Sequence, residues 1–165
     1  MKEHILQYYT NEKQGAGWGI ALGILFIAVA VGLWRAACSM SLQRGLGYTL
    51  LSTGALIVLV TVSAVIYNNR SILHTKEMAV ASNADLQRSE VSRMEKVMAR
   101  SYIGGWVTFS VAAVVGFGLL MLGQKQFMKG IGLGLVLFGL LGISAELFSM
   151  KRNRHYLEEI RQLKF

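Results

Sequence analysis

The stretch Ile24-Leu25-Phe26-Ile27-Ala28-Val29 decides the fold. It sits in an uncharged block from Gln14 to Trp34, bounded by Lys13 and Arg35. A lipid-exposed backbone must satisfy its own polar groups, so only helices and closed barrels cross a membrane. A barrel strand would alternate apolar and polar residues over about ten positions, and this run does not alternate. A helix needs about 20 apolar residues to cross about 30 Å of hydrocarbon, and the block is long enough.

Three further blocks read the same way. They run from Gly45 to Asn69, from Ser101 to Gln124, and from Gly130 to Met150, where Glu146 is the one charge. Basic residues bound each of them. The expectation is an all-α integral membrane four-helix bundle over residues 1–165, with spans of about 15–34, 45–67, 101–123 and 130–150. Composition agrees: 53% of the 165 residues are hydrophobic, 16% are charged, and mean hydropathy is +0.45. Soluble domains carry about 25% charge. So high an apolar content excludes disorder. The lone Cys38 excludes a disulfide scaffold, though a thiol in an outer turn is open to an intermolecular disulfide.

Aromatic residues mark the span ends: Trp18 and Trp34, Tyr48 and Tyr67, Tyr102 and Trp106, and Phe148. Such rings prefer the headgroup zone. Orientation follows from Lys and Arg. Residues 1–16 hold two, 68–100 hold six and 151–165 hold five, against two in each of 35–44 and 125–129. The positive-inside bias then predicts both termini in the cytoplasm of a bacterial inner membrane. Arg35-Ala36-Ala37-Cys38 faintly resembles a lipoprotein cleavage site, but Arg35 stands where a Leu-like residue belongs, so span one is read as retained.

Residues 68–100 form the long cytoplasmic loop. A helix is predicted from about Asn83, capped by Ser82 with Asp85 and running without a breaker into span three. Asp85 with Arg88 and Glu90 with Arg93, each three apart, support it, and Val91, Met94 and Met98 give it an apolar stripe for packing on a neighbour or lying at the membrane surface. Residues 151–165 extend span four as a cytoplasmic helix with Tyr156, Ile160 and Leu163 on one face. Lys151, Arg152 and Arg154 lie at anionic headgroup level, as a topological anchor.

Small residues recur every fourth position: Gly15, Gly19 and Gly23, then Ala112 and Gly116, then Gly130 and Gly134. This spacing lets helix backbones approach closely, either within one bundle or in a homo-oligomer. The chain also reads as two tandem hairpins. Gly17-Trp18 matches Gly105-Trp106, Glu12-Lys13 matches Glu95-Lys96, Arg44-Gly45 matches Lys129-Gly130, and Ser63 to Tyr67 matches Ser144 to Phe148, at separations of 88, 83, 85 and 81. Both hairpins go out and return, so the repeat would be parallel.

Glu146 is a costly intramembrane carboxylate. Lying near the cytoplasmic end of its span, it is expected to pair with an arginine, foremost Arg70 or Arg93, with Arg100 and Arg152 also in reach. Glu146, Arg70, Arg93, Glu95 and Arg152 form the expected polar network. No catalytic, cofactor or metal motif is present, and His4, His74 and His155 are scattered. The positive charge is explained by topology, so no nucleic-acid partner is expected.

Arg93-Met94-Glu95-Lys96-Val97-Met98, Lys129-Gly130-Ile131-Gly132-Leu133-Gly134-Leu135 and Ala145-Glu146-Leu147-Phe148, with Lys151-Arg152, Tyr156-Leu157 and Tyr67 with Arg70-Ser71, carry a resemblance. Together they resemble a family of small uncharacterised bacterial four-span inner-membrane proteins. That family usually has another acidic residue early in span three, where this chain reads Ile103-Gly104-Gly105-Trp106. The resemblance implies the architecture and brings no activity.

Two function classes follow. One is a non-enzymatic binding protein in the lipid bilayer, with a toxin or a membrane complex as protein partner. Its concrete form, by analogy of architecture, is an immunity protein against a pore-forming toxin. The alternative is a homo-oligomeric channel or transporter subunit lined by Tyr48, Ser52, Thr53, Thr61, Ser63, Thr108 and Ser110. The bundle core is expected to be dry and filled by Leu, Val, Ile and Gly.

Overall fold

The computed structural model describes residues 2–36, 41–77 and 83–163, without the side chains of Glu77, Arg100 and Ser101. Cys38 and the Ser82 cap lie outside the described residues. The elements are helices α1 (Lys2–Ala36), α2 (Ser41–Glu77), α3 (Asn83–Lys96), α4 (Tyr102–Leu122) and α5 (Gln126–Gln162). No strand occurs among the described residues. Four helical runs are long and apolar enough to cross a membrane. The fold is the expected all-α four-helix bundle.

Three of these helices overrun their spans. At 1.5 Å per residue, α1, α2 and α5 are each longer than about 50 Å, against about 30 Å of hydrocarbon. The excess gathers at one end, together with α3, as a polar cap. Its core is Ile5, Tyr8 and Tyr9 from α1, Leu86 and Met94 from α3, and Tyr156, Leu157 and Ile160 from α5. Val91 and Met98 pack against it, so the α3 stripe docks within the chain as expected. The most deeply buried large side chains, Met94 and Ile160, are therefore in the cap. Cohesion by exclusion of water is available there and is absent between helices in lipid.

A π-helical turn, Val97–Ser101, joins α3 to α4. Leu86, Glu90, Met94, Met98 and Tyr102 recur every fourth residue. In an α-helix that spacing drifts by about 40° per step. The wider π turn takes back part of the drift, so Met94 and Tyr102 are both buried on the inner side.

Helix α1 packs on α2, α4 packs on α5, and α2 and α5 meet at the centre. The two hairpins are related by a pseudo-two-fold axis. A methyl group added at Gly45 would strike the Phe127 carbonyl and lie 3.1 Å from Ile131 N; one added at Gly130 would strike the Leu42 carbonyl and lie 2.8 Å from Leu46 N. Each partner is displaced by 85 residues, which is the reciprocity of a two-fold contact. The seams inside the hairpins repeat too. Gly54 abuts the Gly23 carbonyl and Ile27, while Gly139 abuts the Phe109 carbonyl and Ala113. At the cap end, Asn68 and Asn153 are both buried.

The offsets are thus 85 between α2 and α5 and 86 between α1 and α4. The Arg44-Gly45 match has the observed register; the matches at 88, 83 and 81 are corrected. The glycine stripes are seams inside the chain. Gly19 and Gly23 pack on α2, Gly116 on α5, Gly130 and Gly134 on α2, and Gly15 faces Arg152.

Candidate functional site

Helices α2 and α5 touch at Gly45 with Gly130 and at Thr49 with Gly134. Toward the cap they part, and a cleft of about 550 Å³ opens between all four spans. The expectation of a filled core is corrected at this level. Small residues bring the helices into backbone contact at the end away from the cap, and the cleft beyond is lined in part by Gly19, Gly104, Gly105, Gly142 and Ala145, which leave its space unfilled.

The cleft lies on the pseudo-two-fold axis, because its lining pairs off under the same offsets. Gly19 corresponds to Gly105, Leu56 to Leu141, Val60 to Ala145, and Thr61 to Glu146. The walls are exposed from outside the bundle: Leu56 is 50%, Val60 60% and Leu141 43% exposed. Thr61 packs on Gly19, and Glu146 packs on Gly105 in the corresponding place. The two halves differ in one charge.

The cap floors the cleft. Ser149 lines it and shares a hydrogen bond of 3.2 Å with the Tyr102 hydroxyl. Asn153 Nδ2 donates to Tyr102 Oη at 2.5 Å, and the Tyr8 hydroxyl donates to Asn153 Oδ1 at 3.1 Å. Tyr8 stacks on Tyr156, with ring centroids 4.0 Å apart. Glu90 accepts from Tyr156 at 3.2 Å and from Arg93 Nε and Nη2 at 2.9 and 2.6 Å. The Arg93 guanidinium lies 5.6 and 5.2 Å from the ring centroids of Tyr8 and Tyr9, within cation–π range.

The expected network is therefore corrected into separate pairs. Arg93 pairs with Glu90 of its own helix, Arg152 with Glu12 at 2.7 Å, and Glu95 with Arg161 at 2.6 Å. Arg70 is exposed and makes no ion pair among the described residues. Glu146 receives no hydrogen bond or ion pair from any described residue, and the Arg100 side chain lies outside them. The physical reason is depth: Glu146 faces the cleft, while the arginines sit in the cap beside nearer carboxylates. Sequence reasoning took Glu90 with Arg93 only as a helix-supporting pair and Tyr102 only as a span-end aromatic, and it missed Tyr8, Asn153 and Ser149. The buried-polar spacing of Ser149 and Asn153, one turn apart after Glu146, was the available signal.

Of the hydroxyls proposed for a pore, those of Ser52, Thr53, Thr61, Ser63 and Thr108 bond their own helices. Thr53 Oγ1 donates to the Thr49 carbonyl at 2.7 Å, Thr61 to Ile57 at 2.7 Å, and Thr108 to Gly104 at 2.9 Å. Among the described residues, no three His, Cys, Asp or Glu assemble as metal ligands.

Burial, with the Glu90 charge, pushes the Tyr9 hydroxyl up to about 12. Burial with Glu12 raises Tyr8, and burial with Glu90 raises Tyr156. Burial opposes the Arg93 charge, but the Glu90 hydrogen bonds and charge outweigh it and hold Arg93 above its usual range. A tyrosine whose folded value is raised favours folding below its ordinary value of about 10, and that contribution is lost as pH rises through the folded value. The cap is therefore expected to loosen between pH 10 and about 12. Tyrosinate absorbance and hydrogen exchange should report it together; tyrosine ionisation with full retention of exchange protection would contradict it.

Comparison with protein-family models, curated proteins and solved structures finds no match.

Proposed function

We propose that the protein is a non-enzymatic bacterial inner-membrane binding protein, with both termini cytoplasmic, whose central cleft receives a small apolar ligand. The observation that carries this is a cleft accessible from the side and blocked at both ends. Outward, the α2 and α5 backbones meet at Gly45 and Gly130. Inward, the Ser149–Tyr102–Asn153–Tyr8 chain closes it. Conduction needs a wet path about 30 Å long, and the hydroxyls of Thr53, Thr61 and Thr108 are turned onto their own backbones.

A volume of about 550 Å³ falls in the range of small-molecule pockets, about 300–1,000 Å³. A spanning helix, about 30 Å long and 10 Å across, is several times larger. An immunity role against an inserted toxin would then use the lipid-facing surface in place of the cleft. The four-span bacterial resemblance supports the location and is silent on the ligand.

Purified protein in liposomes should give no ion leak at neutral pH. Reproducible single-channel steps that change on replacing Thr53, Thr61 or Thr108 would favour the channel instead. For topology, a fluorescent protein fused at residue 165 should fluoresce, and alkaline phosphatase fused there should stay inactive. Active phosphatase at that position would reverse the orientation.

A further inference from the structure

The charge of Glu146 is the feature of the cleft that neither the packing nor the cap uses. A carboxylate in a membrane span is costly and is normally paired or set against a cavity. Here no described residue pairs with it, and it lines an apolar cleft on the symmetry axis. Its counterpart in the other hairpin is Thr61, which spends its hydroxyl on the Ile57 carbonyl. The packing duty of the position, closing against a glycine of the outer helix, is met equally well by threonine. The charge is an addition to that duty, so it points to something received by the cleft.

We propose that the cleft binds a small amphiphilic amine, with the protonated nitrogen on the Glu146 carboxylate and the apolar body against Leu56, Val60, Leu141 and Phe26. This rests on the binding reading above and names the ligand class. Charge complementarity selects the head: an anionic ligand would meet a like charge, and a neutral one would leave the carboxylate unpaired in an apolar wall. Volume selects the body, since the cleft is drug-sized and a two-chain phospholipid is larger. Depth points the same way. Glu146 lies four residues inside Met150, about 6 Å below the end of its span, deeper than a lipid headgroup amine in its own leaflet. Ser149, one turn further on, adds a hydroxyl at the same end of the cleft.

The test compares 9-anthracenemethylamine with 9-anthracenemethanol, two probes that share a body and differ in the charged head. Binding is followed by fluorescence anisotropy with the full-length protein in phosphatidylcholine nanodiscs, corrected for empty nanodiscs. The amine is expected to bind at least about tenfold more tightly than the alcohol, a difference of about 1.4 kcal/mol. Glu146→Gln should abolish that preference and leave alcohol binding in place. Its melting temperature should match the wild type, because no partner is lost.

The symmetry supplies a second variant that does not depend on how Glu146→Gln folds. In Thr61→Glu/Glu146→Thr the carboxylate moves to the corresponding wall of the same cleft, and the amine preference should return. An amine preference that persists in Glu146→Gln, or fails to return in the exchanged variant, would overturn the assignment. Equal binding of both probes, abolished by Val60→Trp, would overturn the amine class and leave the cleft reading standing. Binding of neither probe would remove both. Loss of amine binding when phosphatidylethanolamine replaces half of the lipid would give the site to a lipid headgroup and overturn the small-molecule assignment.

Discussion

Replacing Glu90 by alanine is expected to lower the unfolding free energy by about 3 kcal/mol, the largest effect of any single charge in the chain. Glu90 is a buried carboxylate whose oxygens serve three donors, Arg93 Nε, Arg93 Nη2 and the Tyr156 hydroxyl. Its side chain is 9% exposed and that of Arg93 is 25% exposed. Removing the carboxylate strands a guanidinium between the Tyr8 and Tyr9 rings, and breaking one side of a buried pair costs about 3–5 kcal/mol. The partial exposure of Arg93 puts the expected value at the lower end. Replacing both members, Glu90→Ala with Arg93→Met, should recover part of the loss, because no uncompensated charge remains. Glu90→Gln should be milder, since an amide oxygen still accepts from Tyr156. Denaturant titration in detergent, read by tyrosine fluorescence, measures all three. A Glu90→Ala protein as stable as the wild type would mean that the cap contributes little to folding.

The second large effect belongs to the central crossing. Gly130→Ala should cost about 3 kcal/mol and Gly45→Ala a similar amount, the upper part of the range for overpacking. The added methyl group would meet backbone, the Leu42 carbonyl in one case and the Phe127 carbonyl in the other, and backbone has no rotamer with which to yield. Each substitution pushes the same two helices apart, so the double variant should cost clearly less than the sum of the singles. Gly17→Ala and Gly118→Ala are the matching controls. Neither position has a neighbour within 4 Å of an added methyl group. Alanine is the better helix former by about 1 kcal/mol, so the controls should be neutral or slightly stabilising. Additive costs at positions 45 and 130 would contradict a shared contact.

The comparison of sequence with structure turns on how sharply each physical requirement constrains position. Interface aromatics answer to depth in the membrane, and a shift of one turn changes depth by about 5 Å. Trp18 against Trp106 and Tyr67 against Phe148 therefore match the two hairpins two to four residues out of register. Glycines that touch backbone answer to atomic clearance and tolerate no slip. Among the motifs matched along the sequence, the one that holds Gly45 and Gly130 was accordingly the match whose separation equals the offset in the fold.

By itself the sequence determined the four spans, their helical form, the helical extensions beyond the fourth span and ahead of the third, and the apolar stripe of α3, whereas the run of α2 through residues 68–77 was read as loop. These follow from the mean hydropathy and periodicity of long windows, which average over single residues. Tertiary structure decided the rest. Glu90 and Arg93 stand three apart on one helix, a spacing legible along the chain, but the arginines of the cap are long, so only the packing of α1, α3 and α5 could assign Arg152 to Glu12 and Arg161 to Glu95. The cleft, too, was invisible along the chain. It arises because four helices in contact at one end bring glycine and alanine positions from three of them around a common gap, and Glu146 is left facing it.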